Sequence, residues 1–483
     1  MHFQICEVHP DFTVQRRKTS PAAVDTNKSI ATPSSDQADI MKHTARAILL
    51  LIPVLSLVSC GGGFPNVTST TNKPNTSTPS GKGLPAPAAN ITDNNNENTK
   101  TQGSVPGPGS SSASDDTANK LSAGADSGEC QAAGSGSTYY VSTRGDDLND
   151  GKSRQTPFAT ITHAFEMAFA GDCIQLLPGI YRQDIVTQRS GTKKNPITLT
   201  GLQPANGSQG NGASAAVIKG DGSDRVFQVR HSHIHLSYFT IDGLTGDPSR
   251  KSSYRNKLLY VHNNRNSNGL SDIKITHLTL RNAGGECLRL RYFVTDSEVS
   301  YSSISNCGVY AFRFRSGGKN GEAIYIGTSV NQWHDGKNPT ADPDKSMNNR
   351  IHHNRINSQG NECVDLKEGT TGNRIFNNDC TGQRDEKSAG FNSAGNGNIF
   401  YNNTVHDNAG SGFRFGSNRE GYGVDNIAFG NTIVGNRIYG FKLMDTPQKT
   451  ICGNTLRGNN KGKYYAIDGS VYSPEQGCPG SNM

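Results

Sequence analysis

A single tryptophan stands in the whole chain, apolar side chains make up only 33% of it, and no Cys-x-x-Cys pair occurs. With so little to bury, part of the chain lacks the apolar surface needed to offset the entropy of ordering, so it cannot all be folded. The missing close cysteine pairs remove the usual structural zinc arrangements. No nucleotide or phosphate loop is present, so the 55 glycines belong to turns rather than to a phosphate cradle. Basic residues alternate with acidic ones instead of interleaving with aromatics, which argues against nucleic acid as a partner. The formal net charge of +7 suits an anionic polymer instead.

What is present begins with an export signal. Met41-Lys-His-Thr-Ala-Arg46 is basic, Ile48 to Val58 is apolar, and Leu57-Val-Ser-Cys60 leads into three glycines. A basic start, a short apolar stretch and small residues before a cysteine make a secretion signal too short to span a bilayer as a stable helix. The Leu-Val-Ser-Cys ending resembles the lipobox of bacterial lipoproteins, which implies lipidation of Cys60 and anchorage to the cell envelope. Gly61 in place of an acid resembles lipoproteins sorted to an outer membrane. Residues 1–40 are polar and patternless and lie upstream of this signal, so translation is expected to begin at Met41. Residues 61–135 mix Ser, Thr, Asn, Pro and Gly with almost no large apolar side chains and read as a flexible tether.

Beyond the tether the chain repeats. Asn354, Asn378, Asn403, Asn431 and Asn454 recur at intervals of 24, 25, 28 and 23 residues. Three residues before them come Ile351, Ile375, Phe400, Ala428 and Ile451; two after come Ile356, Cys380, Val405, Ile433 and Leu456. An apolar strand residue, a turn amide and a second apolar strand residue per period mark a solenoid. Stacked amides can satisfy the backbone groups that a tight bend leaves without ladder partners. Eight cysteines besides Cys6 and Cys60 lie downstream of the signal, and an exported chain can oxidise them, although sequence does not choose the pairing. Cys380, in an inward slot of the repeat, reads as a buried space-filler.

Ahead of the repeats, Ile161, Ala164, Phe165 and Ala168 fall on one helical face, with Thr160 placed to cap the start and Gly171 to end the helix. Such a helix plugs the open end of a first coil. Together with Tyr139-Tyr-Val-Ser-Thr-Arg-Gly-Asp-Asp-Leu-Asn-Asp-Gly151, Asp172-Cys-Ile-Gln-Leu-Leu-Pro-Gly-Ile-Tyr-Arg182 and Asn195-Pro-Ile-Thr-Leu-Thr-Gly201, it resembles the N-terminal cap of exported right-handed parallel β-helix proteins, the pectate-lyase-like superfamily. The resemblance implies an all-β fold over residues 136–483, a right-handed parallel β-helix solenoid with a short N-terminal capping helix. It says far less about reaction, because that superfamily holds lyases, hydrolases, epimerases and non-catalytic proteins.

Six segments align as one strand in successive coils: Glu286-Cys-Leu-Arg-Leu-Arg291, Glu322-Ala-Ile-Tyr-Ile-Gly327, Glu362-Cys-Val-Asp-Leu-Lys367, Ala389-Gly-Phe-Asn-Ser393, Ser411-Gly-Phe-Arg-Phe-Gly416 and Tyr439-Gly-Phe-Lys-Leu-Met444. Alternation turns their apolar residues inward and leaves Arg289, Tyr325, Asp365, Asn392, Arg414 and Lys442 as an outward file. At ~4.8 Å per rung the file spans roughly 24 Å, the length of several sugar units. The spacings on either side of Tyr325 are 36 and 40 residues, against 27, 22 and 28 later, so two insertions flank the charged strand. The second, Thr328 to Met347, carries Trp333, which is expected either to stack on sugar or to anchor its loop. Glu286, Glu322 and Glu362, at three strand heads, read as turn carboxylates accepting backbone N–H groups.

Acids bracketed by cations fit β-elimination on a uronic-acid polysaccharide. The C5 proton becomes removable once a calcium ion or an arginine neutralises the adjacent carboxylate and a base stands over the carbon. Candidate catalytic residues are Lys367, Arg414, Lys442 and Arg289; Tyr325, Asn392, Arg291 and Trp333 are candidates for binding substrate; Glu362, Asp365 and Glu368 offer oxygens to Ca2+. One pectate lyase family uses a lysine base in a Gly-Phe-Lys-Leu setting and a calcium site of close-set acids. Gly440-Phe-Lys442-Leu443 resembles the first and Glu362-Cys-Val-Asp365 part of the second, with Asn361 in place of the first acid and Lys442 three rungs, ~14 Å, from Asp365. The expected protein is a monomeric, extracytoplasmic polysaccharide lyase that meets the membrane through its lipid anchor alone. The alternatives are a glycoside hydrolase with paired carboxylates and a non-catalytic polysaccharide-binding module. Gly-His-Gly and paired Asp-Asp strands of the polygalacturonase kind are missing, as is the Asp-Pro-His motif of mannuronan epimerases.

Mass spectrometry of the mature protein is expected to find lipid on Cys60 and no peptide from residues 1–40. Cys60→Ser is expected to shift the protein from the membrane fraction to the soluble fraction, and a peptide from residues 1–40 in the mature chain refutes the start at Met41.

Overall fold

The structure, a computed structural model, describes residues 130–479 apart from 204–214, 223, 264–266 and 317–319. The leader, Cys60 and residues 61–129 of the tether lie outside the described residues. The described chain winds as a right-handed parallel β-helix with three long sheets. Sheet 1 has 11 strands, from Thr138–Val141 to Thr450–Cys452; sheet 2 has 10, from Ile185–Val186 to Gly462–Ala466; sheet 3 has 10, from Gly179–Tyr181 to Thr455–Arg457. The apolar frame read from the sequence lies inside: Ile351, Ile375 and Phe400 pair rung to rung in sheet 1, and Ile356, Cys380 and Val405 in sheet 3. No helix among the described residues is long and apolar enough to cross a membrane.

The turn amides form a continuous ladder. Asn354 donates from Nδ2 to Asn378 Oδ1 at 3.0 Å, Asn378 to Asn403 at 3.0 Å, Asn403 to Asn431 at 2.9 Å and Asn431 to Asn454 at 2.9 Å. Each Oδ1 also accepts the backbone N–H of the preceding asparagine, as Asn378 does from Asn354 at 3.1 Å. Two further ladders occupy the other bends: Asn349, Asn373 and Asn398, and Asn408, Asn436 and Asn459. The residue before each rung of the first ladder is left-handed, with φ of 54° at His353, 53° at Asn377 and 54° at Asn402, then glycine at 430 and 453. That conformation costs a side-chain-bearing residue about 1–2 kcal/mol, and the amide ladder offsets it.

The capping helix spans Ile161–Met167, with Thr160 Oγ1 accepting from His163 N at 3.1 Å. It stops at Met167 rather than continuing to Gly171, because Ala168 is already extended. The cysteines pair as Cys130–Cys173, Cys287–Cys307, Cys363–Cys380 and Cys452–Cys478. Cys380 is therefore not a lone space-filler: it is fully buried and covalently tied to Cys363, just ahead of the sheet 2 strand Val364–Leu366. Cys130 ties the first described residue to the first coil, and Cys478 folds the last segment over the final strands.

Asn378→Ala strands the Asn354 N–H and amide together with Ile351 O. Urea denaturation is expected to show a loss of about 3 kcal/mol or more, whereas the exposed neighbour change Asn377→Gly is expected to be nearly neutral or stabilising.

Candidate functional site

Sheet 2 brings the outward file together. Arg289 pairs with Tyr325, Tyr325 with Asp365, Asp365 with Asn392, Asn392 with Arg414 and Arg414 with Lys442. The file continues beyond these six, with Gln228 and Tyr260 before Arg289 and Tyr465 after Lys442. An open charged face was the sequence expectation. Instead Arg289, Tyr325, Asp365 and Asn392 are only 4%, 5%, 1% and 3% exposed, while Arg414 and Lys442 are half-buried.

The insertions account for the closure by walling the face on both sides. At the strand heads stands a short helix, Val309–Phe312, whose Tyr310 hydroxyl donates to Tyr254 O at 2.5 Å. Gly284 makes room for it, since a Cβ there would lie 2.4 Å from the Tyr310 ring. At the strand tails stands the loop from Thr328 to Met347. Asp344 accepts from the backbone N–H groups of Tyr292 at 2.7 Å and Phe293 at 2.9 Å, and Gln332 Oε1 accepts from Arg289 Nη2 at 2.9 Å.

Three residues expected at the site are anchors of this loop. Trp333 is buried, its Nε1 donating to Thr328 O at 2.9 Å, so it is the loop's own core and not a sugar platform. Arg291 is buried against Asn338 Oδ1 at 2.6 Å and Asp335 at 3.2 Å, which removes it from substrate binding. Glu368 accepts from Val330 N at 3.1 Å and Ser417 Oγ at 2.7 Å, so it is not among the metal-facing acids.

Its place is taken by Glu322. One oxygen from each of Glu322, Glu362 and Asp365 lies within 4.8 Å of the others, and all three residues are buried. Glu322 does act as a turn carboxylate, its Oε2 accepting from Gly321 N at 2.9 Å, and its Oε1 lies 3.5 Å from the donating Asn361 Nδ2. Burial, followed by repulsion from neighbouring carboxylates, raises Glu322 and Glu362 to about 7. Glu286 belongs elsewhere, in ion pairs with Lys257 and with Arg289 at 3.0 Å. The sequence signal for Glu322 was its register, one rung from Glu362.

Asp365 is held by Asn392 Nδ2 at 2.7 Å and Lys367 Nζ at 2.7 Å. Burial opposes the charge on Lys367, yet Asp365, Tyr325 and the two glutamates together hold its ammonium well above the usual lysine range. Lys367 thus keeps its proton and is a poor base, contrary to its listing among candidate bases from sequence. The Tyr325 ring sits between the Arg289 guanidinium at 4.1 Å and the Lys367 ammonium at 5.0 Å, and burial raises its hydroxyl to about 12. Arg414 donates from Nη1 to Asn392 Oδ1 at 2.9 Å and Gly416 O at 3.0 Å. Lys442 behaves oppositely to Lys367: burial, then Arg414 and Lys461, lower it toward the free amine.

The profile of a family described as "Protein of unknown function (DUF1565)" matches residues 143–407. A curated relative, the uncharacterized protein YwoF of Bacillus subtilis (strain 168), is 38% identical over 73 residues, and the match spans only 15% of that protein and 15% of this chain. Among solved structures, an alginate lyase from Paenibacillus sp. str. FPU-7 is 18% identical, with 63% of this chain and 96% of that chain covered and a TM-score of 0.48. Pectate lyase Pel9A is 15% identical, with 72% and 83% covered and a TM-score of 0.47. At these values neither likeness speaks to reaction or to residue roles.

Without calcium, the folded state retains protons on Glu322 and Glu362 that the unfolded chain releases, between the ordinary glutamate pKa and about 7. Stability is therefore expected to fall as pH rises through that window. Lys367 and Tyr325, which face the pair, are both held well above this window. Glu322→Gln is expected to flatten the fall in a series of thermal melts from pH 4.5 to 7.5.

Proposed function

The chain belongs to the DUF1565 family, whose function is unknown, and we propose that it is an extracytoplasmic lyase that cleaves a uronic-acid polysaccharide by β-elimination. The observation that carries this reading is the pairing of Arg414 with Lys442 on the half-open rungs of the file, where burial and then the neighbouring cations push the lysine toward its neutral form. Export and lipid anchorage through Cys60, to an outer membrane, belong to the same proposal, as does action by a single chain.

In this reading a glycan lies over the half-open end of the file, with successive uronate units over the rungs of Arg414, Lys442 and Tyr465. The Arg414 guanidinium meets one uronate carboxylate and disperses its charge, which acidifies the C5 proton. The Lys442 amine, one rung away, takes that proton. The electron pair left on C5 forms the C4=C5 bond, the C4–O bond breaks, and the departing oxygen is protonated by water at the open end of the cleft. Asn392, held between Asp365 and Arg414, fixes the guanidinium.

The acid group has the chemistry for a divalent cation. Three convergent carboxylate oxygens, two of them on groups driven toward protonation by burial and then by their neighbours, form a hard oxygen donor set with excess negative charge. Glu322, Glu362 and Asp365 would hold Ca2+, which would supply positive charge at the buried end of the file. Lys367 is the built-in counter-ion of Asp365.

One observation favours a second reading. Carboxyl groups this close, with two of the three raised to about 7, suit the acid and nucleophile of a retaining glycoside hydrolase.

The test uses purified protein with pectate, alginate, glucuronan and chondroitin, with calcium or chelator. Elimination raises ultraviolet absorbance from the unsaturated product, and Lys442→Ala is expected to reduce it by about 10²–10⁴-fold. The rate is expected to rise with pH toward the depressed Lys442 pKa. Reducing ends without absorbance, lost in Glu322→Gln and kept in Lys442→Ala, replace the lyase with the hydrolase. Glycan retention without either product leaves a binding module.

A further inference from the structure

The burial of Trp333 leaves the cleft without the aromatic platform expected of it, and the other rings of the file do not supply one. Tyr260 and Tyr325 are 2% and 5% exposed, each with a guanidinium over its ring. Tyr465 differs. It is the file residue of the terminal strand, Gly462–Ala466, directly paired with Lys442, and it is 39% exposed.

We infer that Tyr465 is the sugar-stacking residue of the subsite next to Lys442, holding the pyranose ring adjacent to the one that loses its C5 proton. The inference rests on the elimination reading for the identity of Lys442 as the base. Its own support is geometric. The Tyr465 ring leans on Tyr439, with centroids 5.5 Å apart and planes 21° apart, so one face is braced. The strand is the last of sheet 2, so no further rung stacks on the opposite face, and among the described residues no other ring or cation meets it. A braced aromatic face with an open side is what the C–H face of a pyranose needs, and a ring with few rotatable bonds loses little entropy in offering it.

The surroundings select an acidic sugar. Lys442 and Arg414 lie one and two rungs away, and Lys461, close enough to depress Lys442, immediately precedes the strand. Stacking holds the ring while these cations meet its carboxylate. The competing occupant is a second copy of this chain on the same free strand edge, since Ile467 and Val471 are also exposed. Two copies meeting on that edge would bring Lys442 and Lys461 of both into one seam, so the anionic glycan is the better fit.

Tyr465→Ala, Tyr465→Phe and Tyr465→Trp are compared with the unchanged protein by affinity electrophoresis in pectate, alginate, glucuronan and chondroitin gels, by lyase kinetics and by sedimentation. Far-ultraviolet circular dichroism serves as the folding control. Tyr465→Ala is expected to weaken retention and raise KM about three- to tenfold with kcat within about twofold, and Tyr465→Phe and Tyr465→Trp to restore both. Unchanged retention in Tyr465→Ala, retention of no glycan by the unchanged protein, or a dimer that Tyr465→Ala disperses overturns the inference. Retention that falls in Tyr465→Ala although the unchanged protein forms no unsaturated product sinks the elimination reading and keeps the glycan platform.

Discussion

The amide ladders are the constraint on which the rest depends. A parallel coil has no hairpin turn to fix how one winding sits over the next, so register must come from the bends. From Asn349 onward an asparagine at the bend accepts the N–H of the asparagine before it and passes its own amide forward, and Ser297 and Ser302 accept in the coil before, so a slip by one residue would break a bond on each of these rungs. Left-handed residues precede these asparagines and aim the chain into the next sheet. Because the ladder fixes the bends, the outward residues of sheet 2 fall into one file, and any chemistry of the face follows from that alignment.

Alignment brings like charges together as readily as unlike ones. Glu322 and Glu362 stand one rung apart because their strands are in register, and burial makes their proximity unfavourable for two ionised carboxylates. Lys367 answers Asp365, and Lys257 and Arg289 answer Glu286. The two glutamates are left to share the shortage of positive charge. A stable protein has little reason to bury such a group, since well-packed apolar residues would cost less. The charge imbalance lies at the buried rungs of the file, and the half-open rungs at Arg414 and Lys442 are where the file meets solvent.

Much of this was legible from particular residues. Asn354 to Asn454 carried the period, and Leu288, Ile324, Val364, Phe413 and Phe441 carried the inward face. Their alternation alone put Arg289, Tyr325, Asp365, Asn392, Arg414 and Lys442 on one side. Trp333, Arg291 and Glu368 were misplaced for a common reason. Each is a polar or aromatic side chain beside the charged strand, and its partner lies in a loop whose path has no periodicity to read. Thr328, Asn338, Val330 and Ser417 became their partners through the folding of an irregular segment. Cys380 failed in the same way, since an inward slot does not reveal which sulfur it meets.

The sequence by itself determined the winding, the inward apolar frame and the membership of the outward file, because each repeats at a fixed interval and periodicity survives without coordinates. Tertiary structure decided which of those outward residues water can reach, which acids converge, and which lysine keeps its proton. Those properties depend on burial and on distances of a few ångströms between segments far apart in the chain. The Coulomb and desolvation terms that set them vary with each ångström, and nothing in the spacing of residues along the chain encodes them.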